Sequence, residues 1–272
     1  MTDADIFSVA EQVVVVTGGL GQLGSHYSAA LLAAGARVAV VDARSRSAEL
    51  PPALAEWQDE ERLLVLTADV TDRTSLEAAL AAVRDRFGVP TGLVNNAALD
   101  SPPDAPPSET GPFETYPEAS LDAVLDVNVK GVVLCCQVFG GAMAQAAGGS
   151  IINISSTYGL VSPDQRVYED DTRAAPFYKP VAYSVSKSAL LNLTRYLATY
   201  WSGRGVRVNT LTLAGVRRDQ AESFVDKYTE RVPLGRMAEE DEYNGAVIFL
   251  LSRASSYMTG SNLVIDGGWT AW

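Results

Sequence analysis

Val13-Val14-Val15-Val16-Thr17-Gly18-Gly19-Leu20-Gly21-Gln22-Leu23-Gly24 joins a strand, a glycine turn and the start of a helix. Four valines in a row leave no polar face, so the strand must be covered on both sides. Glycines at 18, 21 and 24 allow a tight turn and a close approach of backbone to a ligand. Ser25 to Ala34 reads as the helix that follows, stopped by Gly35. At such a helix start, unpaired N–H groups and the helix dipole favour an anion, so this context suits a pyrophosphate. Thr17, Gly18, Gly21, Gln22, Leu23 and Gly24 are therefore candidate dinucleotide contacts. An ordinary strand–helix connection is the alternative.

Outward from this turn, buried strands and helices alternate. Arg37 to Val41 is a strand closed by Asp42, and Leu63 to Thr67 is a third, followed by Asp69 and Val70. Ser75 to Phe87 is helical, with Leu76, Leu80 and Val83 on one face. Leu93-Val94 leads into Asn95-Asn96-Ala97-Ala98. Long helices are expected over Leu121 to Met143 and Tyr183 to Trp201, with strands at Ser150 to Ile154, Val206 to Leu213 and Asn262 to Ile265. Strands separated by helices pair in parallel with right-handed crossovers. The expected fold class is α/β, a Rossmann-type doubly wound parallel sheet, as one domain over 1–272. Substrate loops are expected at about 100–117, 162–180 and 216–232.

Asp42 ends the second strand, where the adenosine ribose of a dinucleotide lies. A carboxylate there accepts hydrogen bonds from both ribose hydroxyls and repels a 2′-phosphate. It favours NAD over NADP, although Arg44 and Arg46 are near. Asp69 is placed to meet the adenine amino group.

The chain has 272 residues, 47% of them hydrophobic, enough for one large core. Its formal charge of −12 argues against nucleic acid and anionic membranes as partners. Cys135 and Cys136 are adjacent in an apolar run, which suits two core residues and neither a disulfide framework nor a metal site. No signal peptide and no membrane-spanning run is expected, which gives a cytoplasmic location. His26 is the single histidine, expected to pack or face solvent. A lone histidine weakens a Ser-His-Asp triad, and no cluster has zinc spacing.

The glycine turn, Asn95-Asn96-Ala97-Ala98, Asn128, Ser155-Ser156, Tyr183-Ser184-Val185-Ser186-Lys187 and Val264-Ile265-Asp266-Gly267-Gly268 occur in this order. Together they resemble the short-chain dehydrogenase/reductase family from Val13 to Gly268. Tyr183 and Lys187 are four apart on one helix and share a face. A free phenol titrates near ~10, and a neighbouring ammonium is expected to lower that value. Tyr183 then serves as the acid/base. The resemblance implies that Lys187 also holds the nicotinamide ribose and that Ser156 hydrogen-bonds the substrate oxygen. Ser156 is preferred to Ser155 because it lies three residues before Gly159. Asn128 would kink its helix and anchor a water that relays protons to Lys187. Asn96, Ala97 and Ala98 would border the cofactor.

This sequence departs from the family at Gln22, where shorter members carry glycine, and at Ala98. After the sixth strand, Leu213-Ala214-Gly215 replaces the usual Pro-Gly, and the following threonine is missing. Gly215 and the Val216 backbone are the substitute nicotinamide contacts.

The resemblance implies an NAD-dependent oxidoreductase interconverting a secondary alcohol and a ketone. Two alternatives keep the fold: a non-redox sugar-nucleotide epimerase or dehydratase, and a non-catalytic NAD-binding sensor. Ser162 to Pro180 carries Arg166, Arg173 and Lys179 among Tyr168, Phe177 and Tyr178. Two readings of these cations stay open: one, held second, is that Arg166 or Arg173 anchors an anionic or polyhydroxylated substrate, such as a sugar or polyol, near Tyr183. The other, held first, is a solvated surface loop whose cations pair with Asp164, Glu169, Asp170 and Asp171. The resemblance suggests a homodimer or homotetramer packed through the two long helices. The tail Trp269 to Trp272 is expected to pack on a neighbouring subunit or under a substrate loop.

Overall fold

The computed structural model describes residues 6–44, 50–58, 60–102, 105–169 and 176–272. Arg46 and Arg173 lie outside them. Seven parallel strands form one sheet: β1 Val13–Thr17, β2 Arg37–Asp42, β3 Leu63–Thr67, β4 Gly92–Asn95, β5 Gly149–Ser156, β6 Val206–Leu213 and β7 Asn262–Ile265. Their order is β3-β2-β1-β4-β5-β6-β7. The order reverses direction between β1 and β4, and a crevice opens there at the carboxyl ends of the strands. The register brings those ends together: Thr17 opposes Val41, Asn95 opposes Asn153, and Ser156 opposes Leu213.

The valine run of β1 is split between two cores. Val13 and Val15 join Val41, Leu93, Ile151 and Phe139 on one face of the sheet. Val14 and Val16 join Val38, Val40, Ile152 and Leu250 on the other. This double burial is why the valine run has no polar position. A polar ladder crosses the first core. Asn95 donates to Asn153 at 2.8 Å, Asn153 donates to Thr194 at 2.9 Å, and Thr210 bonds Thr194 at 2.8 Å. Buried amides paired in this way hold β4, β5 and β6 in one register, with Asn95 Oδ1 left without a partner.

Helix α1 spans Gln22–Ala33, three residues earlier than the apolar pattern suggested, because the turn itself supplies its first residues. α2 is Arg73–Phe87, with Asp72 capping it through a hydrogen bond from Thr74 N–H. α3 runs continuously over Glu118–Gln145 and is, by length and composition, apolar enough to cross a membrane. That differs from the sequence expectation, and the physical reason is its place in the sheet layer. Val132, Cys135, Cys136, Phe139 and Met143 fill the first core, and half of the stretch is buried. Two π-helical segments, Asp126–Gly131 and Cys136–Gly140, interrupt it. α4 is Val181–Tyr200. Two further helices, α5 Glu222–Thr229 and α6 Asn244–Leu251, were missed by the sequence pattern. α5 is too short for a clear period, and α6 is apolar nearly all round. The expected loop at 216–232 therefore contains a helix.

Candidate active site

The glycine turn closes on itself through short contacts. Gly18 has a φ of +61°, and a Cβ there would lie 2.8 Å from Ala97 Cα. A Cβ on Gly24 would lie 2.3 Å from the Gly18 carbonyl and 2.8 Å from Asn96 Nδ2. Asn96 Nδ2 donates to the carbonyls of Thr17 and Gly18, both at 3.1 Å. Gly21 caps α1 with no side-chain hydrogen bond, so the first-turn N–H groups are left for a ligand. A cradle this tight at a helix start fits a dinucleotide pyrophosphate.

Each candidate residue at this end has a definite place. Thr17 is buried, and its Oγ1 accepts from the N–H groups of Asn96 and Ala97 at 3.0 and 3.1 Å. It fastens the loop after β4 and presents no free group of its own. Gln22, Leu23, Asn96 and Ala98 line the main cavity. Gln22 Nε2 donates to Glu240 at 2.6 Å and to the Arg217 carbonyl at 3.3 Å. His26 reaches the same Glu240 at 2.9 Å, which corrects the expectation of a merely packed or solvated side chain.

Asp42 ends β2 with only 7% of its surface exposed. Burial raises its pKa, but hydrogen bonds from the Arg44 side chain, Arg44 N–H and Leu20 N–H outweigh that and hold it below the usual carboxylate range. Arg44 Nε lies 3.0 Å from Oδ1. Asp69 is exposed, with Oδ1 held by Thr71, and Val70 is buried against Gly131 of α3.

The catalytic candidates converge at the carboxyl ends of β5 and β6. A cavity of about 810 Å³ is lined by Ser156, Tyr183, Lys187, Gly215 and Val216. Ser155 Oγ is spent on the Lys187 carbonyl at 2.9 Å. Ser156 Oγ accepts from Tyr158 N–H at 3.2 Å and lines the same cavity as Tyr183, which leaves it as the serine hydroxyl available to the site. Tyr183 is pushed up to about 12, first by burial and then by the charge of Asp100, with the Ser156 hydrogen bond opposing. This corrects the expectation of a lowered phenol. Lys187 Nζ is 5.7 Å from the ring centroid and donates to the Ile154 carbonyl at 2.9 Å. Burial pulls Lys187 itself down to about 8, against the opposing charge of Asp100. At neutral pH the free site thus holds a neutral phenol above a buried ammonium.

Asn128 does sit in a π-helical segment of α3. Its side chain is fully engaged: Oδ1 accepts from Leu99 N–H at 2.7 Å, and Nδ2 donates to Leu99 O and Ser186 Oγ. Ser186 Oγ in turn bonds the Tyr183 carbonyl at 2.7 Å. Asn128 is a brace between the loop after β4 and the start of α4, and a relay water would have to use its main chain.

The substrate side is an aromatic wall. Tyr168 stacks on Phe177 and packs against Phe224, and Tyr228 stacks on Trp269 at 4.4 Å. Tyr228 Oη also accepts from Gly215 N–H at 2.7 Å. Trp269 thus packs under α5, whereas Trp272 is 81% exposed. Arg166 does not reach the cavity. It forms a bidentate pair with Asp164 at 2.9 and 2.8 Å and is largely exposed. Arg231 pairs with the same carboxylate. Of the described cations of this loop, Lys179 is the one that lines the cavity, beside Tyr183 and Asp100. The sequence offered Lys179 among three loop cations but gave no reason to prefer it. Among the described residues, no group of His, Cys, Asp and Glu could hold a metal.

The chain matches the family described as Enoyl-(Acyl carrier protein) reductase over residues 21–270. It belongs to the short-chain dehydrogenase/reductase family. Within it, D-threitol dehydrogenase of Mycolicibacterium smegmatis is 33% identical over 271 residues, covering 97% of this chain and 95% of that one. A short-chain dehydrogenase from Leptospira borgpetersenii with bound NAD+ superposes with a TM-score of 0.84 at 29% identity, covering 99% and 96% of the two chains. A gluconate 5-dehydrogenase from Burkholderia cenocepacia, in complex with NADP and tartrate, gives 0.84 at 25% identity and covers 100% of both. This short-chain dehydrogenase/reductase is an oxidoreductase acting on CH–OH groups, interconverting a secondary alcohol and a ketone.

Proposed function

We propose that the enzyme oxidises a polyol at a secondary carbinol, with NAD as the preferred dinucleotide. The observation that carries this is the Tyr183–Ser156 pair at the base of a cavity whose outer walls offer both charged groups and aromatic faces. The similarity to a D-threitol dehydrogenase supports the substrate class.

The glycine turn, Asp42, Asp69 and Val70 would hold the adenosine and pyrophosphate end. Asn96, Ala97, Ala98, Lys187, Gly215 and Val216 would border the nicotinamide end. A bound nicotinamide supplies the hydride acceptor in oxidation and the donor in reduction. Ser156 orients the carbinol oxygen, and Tyr183 takes its proton in oxidation or returns one in reduction. Lys187 stabilises the phenolate that this requires, since its ammonium is desolvated and close. Val216 contributes through its N–H, because its carbonyl already accepts from Gln220 at 2.8 Å.

The preference for NAD rests on Asp42, which stays ionised at the end of β2. Asp42→Ala would release Arg44 from its pairing and offer a cation to a 2′-phosphate. The ratio of kcat/KM for NAD to that for NADP should then fall by about tenfold or more, the loss of one charged hydrogen-bonding group. An unchanged ratio would remove Asp42 as the determinant. Exposed Tyr196 and Tyr200, stacked on each other on α4, support assembly into a homodimer or homotetramer through the long helices. Light scattering showing a monomer at micromolar concentration would contradict it. The substrate class is tested by initial rates of NAD and NADP reduction with four- to six-carbon polyols. Turnover of plain secondary alcohols without turnover of any polyol would overturn it.

A further inference from the structure

Two charged side chains meet at the mouth of the cavity, and neither belongs to the proton-transfer machinery. Lys179 lies just before α4, and Asp100 lies in the loop after β4. Their side chains form an ion pair, and both line the cavity beside Tyr183. Lys179 Nζ sits 4.9 Å from the centre of the Tyr183 ring, on a side chain that is 11% exposed. Its backbone is fixed from both neighbouring loops. Lys179 N–H donates to Gln165 Oε1 at 2.9 Å, and Tyr178 N–H donates to the Thr110 carbonyl at 2.8 Å. Asp100 is 61% exposed, so its carboxylate keeps oxygen lone pairs toward solvent and the cavity.

An ammonium has three donors, and a carboxylate has acceptor sites for several hydrogens. One contact between them leaves donors on Lys179 and acceptors on Asp100 unspent. A hydroxyl group can use both at once, because it accepts through its oxygen and donates through its hydrogen. A carboxylate can use Lys179 but is repelled by Asp100. An alkyl group uses neither. The same cavity is lined by Tyr168, Phe177, Phe224 and Tyr228, whose apolar faces leave the charged pair as partner for the hydroxyls of a bound chain.

We propose that Lys179 and Asp100 together read the hydroxyl next to the carbinol being oxidised, and so select neutral vicinal polyols over plain secondary alcohols and over polyhydroxy acids. This rests on the polyol reading given above.

The test compares threitol, butan-2-ol and threonate as substrates for the wild type, Lys179→Met and Asp100→Asn, with kcat and KM measured separately. A hydrogen bond to a charged group corresponds to about ten- to hundredfold in kcat/KM. Lys179→Met should therefore lower kcat/KM for threitol by about that factor, mainly through KM, and leave butan-2-ol within about twofold. Asp100→Asn should lower threitol and raise threonate by about fivefold or more, since a repulsive charge is removed while Lys179 stays. A merely structural role would not produce that opposite movement. Equal losses on threitol and butan-2-ol, or an unchanged threonate rate, would overturn the proposal. Should Lys179→Met fail to fold, Asp100→Asn at its exposed site carries the same decision. A wild type that oxidises butan-2-ol but no polyol overturns the polyol reading itself. A wild type that oxidises threitol, with variants that leave the threitol to butan-2-ol ratio unchanged, overturns the pair alone.

Discussion

The cofactor half and the substrate half of the cleft are built in different ways. In the first, Asn96 bonds Thr17 and Gly18 across two adjacent strand ends at 3.0 to 3.1 Å, and Gly24 leaves no room for a Cβ beside them. In the second, Asp100, Tyr158, Tyr168, Lys179, Tyr228 and Trp269 come from segments far apart in sequence and meet only in the folded chain. A ligand common to many proteins can be held by a short local motif on a rigid sheet edge. A substrate peculiar to a few is held by loops and a short helix that vary freely over that edge.

Substitutions on each side sharpen the contrast. The largest effect is expected between the halves, at Tyr183. Tyr183→Phe should lower kcat by roughly 10²–10⁴-fold while leaving dinucleotide affinity unchanged, as measured by steady-state kinetics and fluorescence titration. Near-normal turnover would break the mechanism.

On the substrate side, Trp269→Ala removes the ring stacked on Tyr228 and opens the floor under α5. The expected loss is on the order of 3 kcal/mol in chemical denaturation. KM for the polyol should rise, with dinucleotide affinity unchanged, since the aromatic wall does not touch the glycine turn. Equal weakening of both ligands would erase the division between the halves.

On the cofactor side, Gly24→Ala forces a Cβ against the Gly18 carbonyl. Overpacking of this kind costs about 1–3 kcal/mol, and here it displaces the turn that meets the pyrophosphate. Dinucleotide affinity should fall by about tenfold or more, corresponding to the same energy. Polyol KM at saturating dinucleotide should stay within about twofold.

The smallest effect concerns Lys187 and pH. Burial lowers its folded pKa from 10.5 to about 8. Between those values the unfolded chain binds the proton and the folded one does not, so this group makes the free protein more stable as pH rises. Cys135 and Cys136, pushed up by burial, act in the opposite direction above their ordinary value. The comparison of wild type with Lys187→Met isolates the lysine. The difference in unfolding free energy should change by at most about 1.4 kcal/mol per pH unit between pH 8 and 10. A difference that is flat over this range would mean that Lys187 is not desolvated as described.

The same division explains what could be read from the sequence. The valine run, the glycines and Tyr183 with Lys187 each carry their meaning within a few residues, so the sheet, the crevice and the placing of Tyr183 and Lys187 on one cavity were legible. The preference for Ser156 over Ser155 needed only a spacing, and Ser155 is indeed occupied elsewhere. Arg166 was legible as a surface residue, because its partner Asp164 is a neighbour two residues away that an exposed arginine can find. Lys179 was hidden among similar charges, and its partner Asp100 is 79 residues away. The pKa of Tyr183 was misjudged for a related reason. The helix spacing puts Lys187 on the same face, but the burial and the Asp100 charge that raise the phenol arise only in the folded cleft.

Hydride transfer itself is tested most directly with threitol deuterated at the secondary carbinol carbon. After incubation with the enzyme and NAD or NADP, the account predicts reduced dinucleotide carrying one deuterium for each ketose formed. Label retained on a sugar product with the dinucleotide returned oxidised would contradict it and favour an epimerase or dehydratase. Dinucleotide binding with no label leaving the polyol would equally contradict it.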